Sequence, residues 1–132
     1  MIRMSSFQIG DHVIAEYKTG VYYGEIVEMS STMKAAVRIL AVKEHPTQGD
    51  LHNPMDPNVA FFHQRRALSF QEIALMPIST IRSYAGAIPE YQVSLERALM
   101  AQISKLSEME AWARRSLQEL SQLQQEYFPK SN

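Results

Sequence analysis

From Glu90 to Phe128 the chain contains neither glycine nor proline, and its composition turns to alanine, leucine, glutamate, glutamine and arginine. These residues lose little side-chain freedom in a helix, and nothing among them stops one. The 39 residues in a single helix would extend about 58 Å. Leu95, Leu99, Ile103, Leu106, Ala113, Leu117, Leu120 and Tyr127 recur at steps of three and four, with Met109 and Leu123 slightly off register. Glu110 and Gln124 stand where a strict seam would want apolar groups. Ser107 with Glu110 three residues later offers a capping box, hence a break into a hairpin, and Pro129 ends the segment. A stripe of this length exceeds what a small domain covers. Part of it is expected to meet a second copy, a folded-back segment or another protein.

The preceding residues follow a different pattern. "HVIAEY" alternates as a strand, with Val13, Ala15 and Tyr17 on one side, and Lys18-Thr19-Gly20 supplies a tight turn in which Gly20 is free to take positive φ. "VYYGEIVEM" is β-rich with a bend or bulge expected at Gly24, and "AAVRILAV" returns. After a polar loop over 43–58, "VAFFHQ" and "ALSFQEI" read as further short strands, and "ISTIRSY" as a 3-10 turn with a terminal strand. Several short strands in about 75 residues, one of them bent, predict a mainly β plus α protein. Its body would be a small SH3-like, partly open β-barrel over residues 1–87, with an OB-like barrel as the alternative. A long C-terminal helix or helical hairpin would fill 88–132.

A formal net charge of −1 leaves no basic excess, and the charges are spread evenly: residues 44–87, for example, carry 3 basic and 4 acidic side chains. A nucleic-acid-binding barrel, one alternative function, is therefore not favoured. The chain has no cysteine, which removes disulfides, thiolate metal sites and a cysteine nucleophile. No apolar run approaches the ~20 residues of a membrane-spanning helix, and the first residues lack a signal-peptide core. A cytoplasmic location is expected.

"HPTQGDLHNP", residues 45–54, is the one stretch that suggests chemistry. His45, Asp50 and His52, with His63 beyond, are the ligand types of a divalent-metal hydrolase, the other alternative function. Their spacing is not that of a helical zinc motif, and Pro46, Gly49, Pro54 and Pro57 with Asp50 and Asn53 are turn-formers. A structured loop is the better reading. No phosphate-binding glycine loop or nucleophile elbow is present, so no enzyme activity, catalytic residue or cofactor is expected. Among the aromatics, Phe61 and Phe70 are expected to fill the core, while Tyr22 and Tyr23 should point to opposite faces. Tyr22, Tyr23, Trp112 and the Arg114-Arg115 pair are the candidate protein-binding residues, since tyrosine, tryptophan and arginine anchor interfaces. A homodimer through the C-terminal helix is a further expectation.

Four passages carry a resemblance: "IGDHVIAEYKTGVYYGEI" (9–26), "VRILAVKEHPTQGDLHNP" (37–54), "FFHQRRAL" (61–68) and "YAGAIPEY" (84–91). On these the chain resembles the kinase-associated protein B family of endospore-forming bacteria. The match covers most of residues 9–100, and the rest of the helix agrees in character only. The resemblance implies an SH3-like barrel with a helical tail. It also implies an accessory role for a membrane sensor histidine kinase that feeds the sporulation phosphorelay, a signal-transduction role by protein binding. The family is described as lipoproteins. With no cysteine to acylate, this chain is expected to reach the membrane only indirectly, through its partner.

Overall fold

The computed structural model describes residues 7–130. Its β part is one five-stranded antiparallel sheet built from β1 (His12–Tyr17), β2 (Gly20–Met29), β3 (Lys34–Glu44), β4 (Ile73–Pro77) and β5 (Ile81–Ser83). The order is β4-β3-β2-β1-β5, so the meander closes back on its first strand. A 3-10 turn over Ile78–Thr80 links the two edge strands β4 and β5. This is the partly open SH3-like arrangement that the spacing of short strands predicts.

The β1–β2 hairpin departs from expectation in an instructive way. Tyr17 pairs with Gly20, leaving Lys18 and Thr19 as a two-residue loop with φ of 47° and 71°. Hairpin loops of this length match the sheet twist when both central residues are left-handed. Gly20, expected to supply that conformation, does not take it. It is glycine for space: a Cβ there would run into the ring of Tyr22, with Cζ at 2.7 Å. Gly24 does mark a bend. The β2–β3 register slips between Tyr23 and Gly24, and a Cβ at Gly24 would lie 2.9 Å from the carbonyl oxygen of Arg38. Close backbone approach at a bulge is what a strand glycine permits.

Alternation along the strands builds the core. Val13, Ala15, Tyr22, Ile26, Val37 and Ile39 turn inward, joined by Met76 from β4 and Ile81 from β5. The strands expected over 59–64 and 67–73 do not form. Phe61, Phe62 and Phe70 are exposed, so the core role expected of Phe61 and Phe70 falls away, and only the adjacent Ala67 and Leu68 of these segments pack against the core. The ladder resumes only at Ile73, where "IALMP" pairs with β3 and buries Met76.

A single helix, α1, runs from Tyr91 to Tyr127 over 37 residues. It continues through Ser107, so the hairpin alternative is not realised; scattered serines inside a run of strong helix formers cost too little to end it. Glu90 receives the Val93 N–H at 3.0 Å in the first turn. Contacts divide the chain into one compact unit ending at Leu99 and a second beginning at Met100. In the first, Tyr91, Leu95 and Ala98 join the core. In the second, every described side chain is exposed except Gln102, Ser116 and Leu123, which are half-buried. No helix among the described residues is long and apolar enough to cross a membrane.

Candidate partner-binding surface

The 45–72 connection is held largely by side chains, with isolated backbone bonds such as Gly49 N–H to the His63 carbonyl at 2.9 Å. Gln48 accepts the Arg65 N–H at 2.7 Å and donates from Nε2 to the carbonyls of Pro46 (3.1 Å) and Arg65 (2.9 Å). Arg65 answers from the other side, its guanidinium donating to the carbonyls of Thr47 (2.6 Å) and Gly49 (3.2 Å). The Arg65 charge is thereby spent on backbone oxygens within the loop. Leu68 is fixed by two tyrosines: its N–H donates to the Tyr22 hydroxyl at 3.2 Å, and its carbonyl accepts from the Tyr91 hydroxyl. Burial pushes both phenols up from their ordinary range.

Of the four residues that raised the metal alternative, His45, Asp50 and His63 are engaged in the loop itself, and His52 contributes its backbone N–H to Asp50. His45 Nδ1 donates to the Pro46 carbonyl at 3.0 Å, and the His63 ring packs edge-on against Phe61 at 4.3 Å. Asp50 closes a turn, its Oδ1 accepting the His52 N–H at 2.9 Å and its Oδ2 the Asn53 side-chain amide at 3.0 Å. The Asn53 amide, followed by the His52 N–H, holds the Asp50 carboxyl below the usual carboxylate range. Among the described residues, no three histidine, cysteine or carboxylate side chains converge as a metal cage would require.

The tyrosine pair splits as strand geometry demands. Tyr22 is 1% exposed and presents nothing to a partner. Tyr23 is half-buried on the opposite face, packed on Tyr84 at 5.0 Å with Lys43 Nζ 5.9 Å from its ring centroid. A more open aromatic feature lies at Phe70, for which a core role is the stronger expectation from sequence. Phe70 stacks on Tyr91 at 5.7 Å, and with His12, Leu40 and Pro89 they border a shallow cleft of about 350 Å³.

On α1 beyond Leu99, Trp112 is 72% exposed. Arg114 pairs with Glu110 at 3.5 Å and Arg115 with Glu119 at 2.9 Å, all four side chains open to solvent. Such i,i+4 pairs steady the helix by a few tenths of a kcal/mol and leave the guanidinium groups free to make further contacts. Along the same segment Ile103, Leu106, Leu117 and Leu120 are also exposed. Large apolar side chains thus lie uncovered at helical spacing on both sides of Glu110, which is more than the scattered exposed leucines of an ordinary surface.

Residues 17–128 match the family model described as kinase associated protein B. The kinase-associated lipoprotein B of Bacillus subtilis (strain 168) is 43% identical over 126 residues, which cover 95% of this chain and 98% of that relative. The X-ray crystal structure of kinase-associated protein B from Bacillus cereus is similar with a TM-score of 0.66 at 37% sequence identity, over 92% of this chain and 98% of that one.

Proposed function

The chain belongs to the kinase-associated protein B family, and from that membership we propose a non-enzymatic accessory protein that binds and supports a sensor histidine kinase of the sporulation phosphorelay. The observation that carries this reading is Trp112, a large aromatic side chain 72% exposed on α1 with Arg115 three residues on. A surface of that kind gains by burial against another helix, and sensor kinases dimerise through helices. Support of the kinase means tighter binding to its active state than to its inactive one, since a partner with equal affinity for both shifts nothing. Trp112 and Arg115 on α1 are the contact residues of this proposal, Tyr23 on the sheet is a separate candidate, and Arg114 is reserved for self-association. α1 also mediates self-association of the chain. The relative in Bacillus subtilis is named a lipoprotein; with no cysteine in these 132 residues, we assign a cytoplasmic protein that reaches the membrane periphery through the kinase.

The test is a pull-down of the full chain with two baits, the intact kinase and its cytoplasmic fragment, followed by kinase autophosphorylation with and without the protein. Enrichment on either bait together with a raised autophosphorylation rate is the expected result. Absence of enrichment on both baits overturns the proposal.

A further inference from the structure

Resting on the self-association proposed above, we infer that two copies of α1 pair antiparallel, in the register that sets Glu110 of each chain against Ala113 and Arg114 of the other. From Leu99 to Tyr127 the row of α1 alternates strictly by four and three, the period of a left-handed coiled coil. One set of seam positions is Ile103, Glu110, Leu117 and Gln124; the other is Leu99, Leu106, Ala113, Leu120 and Tyr127. The seam is about 42 Å long, enough for a stable helical interface. Leu106, Leu117 and Leu120, at its middle, are 54%, 66% and 59% exposed in the single chain.

Glu110 decides how a second copy fits. In a parallel pair in register, equivalent positions share a layer, so the two Glu110 carboxylates would face each other where the seam is driest. Like charges at that distance oppose association. In an antiparallel pair Ile103 meets Leu120, Leu106 meets Leu117, and Glu110 meets Ala113 of the second copy. The alanine methyl leaves room for the carboxylate. Arg114 follows directly, and within one chain it already reaches Glu110 at 3.5 Å. The same guanidinium from the second copy therefore neutralises the carboxylate across the interface, and the two-fold axis repeats the pair. Sliding the helices by one heptad would instead press Glu110 onto Leu120 and crowd the arginines together, or in the opposite direction press Glu110 onto Leu106, away from any arginine of the second copy. Trp112 and Arg115 lie off the seam in the chosen register and stay available for the kinase.

The chain has no cysteine, so introduced thiols report without interference. Leu106→Cys and Leu117→Cys are oxidised singly and as a mixture, and the products are separated without reductant. The antiparallel register predicts no dimer band from either variant alone and a predominant heterodisulfide from the mixture. Self-linked bands from the single variants would mean a parallel pair and overturn this inference while leaving self-association standing. A monomer mass by light scattering of the unmodified chain overturns both. With Glu110→Leu added, the single variants should begin to self-link, because the repulsion that excludes the parallel pair is gone.

Discussion

Ser94, on the first turn of α1, accepts the backbone N–H of Val42 in β3 at 2.9 Å, across 52 residues of sequence. Its hydroxyl proton goes to the Tyr91 carbonyl at 2.8 Å, and the side chain is 2% exposed. The helix start and an interior strand thus share one small hydroxyl. Ser94→Ala removes the acceptor and strands a buried N–H, which costs about 1–3 kcal/mol. Urea denaturation should show the midpoint falling with the slope unchanged, and Ser107→Ala, on the exposed part of α1, should differ from the parent by less than ~0.5 kcal/mol.

Tyr22 and Tyr91 predict an alkaline limit. Both phenols are raised by burial. A group with a folded pKa above its unfolded value lends stability that is complete below the unfolded value, about 10 for tyrosine, and lost as pH rises through the folded one. Thermal melts should therefore fall above about pH 10. Tyr22→Phe should flatten that decline while lowering stability at pH 7 by about 0.5–1.5 kcal/mol, since the Leu68 N–H loses its acceptor.

Asp50 predicts the opposite limit for its loop. Its carboxyl is held low by the Asn53 amide and the His52 N–H. A depressed pKa lends stability above the unfolded value and withdraws it as pH falls through the folded one. The amide resonance of His52 should move as the carboxylate is protonated in strong acid, and Asp50→Asn should abolish that titration. Because the carboxyl is exposed, the melting temperature of the sheet should not follow.

Trp112 separates kinase binding from folding. Its side chain is 72% exposed, so Trp112→Ala should change stability by less than ~0.5 kcal/mol. Kinase capture should weaken by roughly 10-fold or more, the loss typical of an interface anchor worth over ~1.4 kcal/mol. Titration calorimetry against the kinase fragment gives both affinities, and equal values would remove Trp112 from the contact surface.

Much of the fold was legible because its signals are local. Alternation placed β1 and the inward Val13 and Ala15, the tyrosine doublet split as a regular strand requires, and the 3-10 turn with its terminal strand followed from "ISTIRSY". The long helix announced itself by what it lacks. Failures arose where a residue's role depends on distant partners. Gly20 looked like a turn glycine, but the ring of Tyr22 is what excludes a side chain there. Phe61 and Phe70 looked like core, yet Gln48 and Arg65 hold their loop through carbonyl groups that no local pattern reveals. On the binding surface, Trp112 and the arginines could be picked by residue type, while the Phe70–Tyr91 platform needed the register of both segments.

The last buried side chain of α1 among the described residues is Ala98. A helix without tertiary packing is marginal in water, so the remainder draws its order from whatever lies against it. Diluted and alone, the far-ultraviolet ellipticity of this segment should fade gradually on warming, while the sheet melts in one step. Once a companion clasps it, the two transitions merge. The tail is therefore a built-in gauge of its own occupancy, readable by circular dichroism without a label.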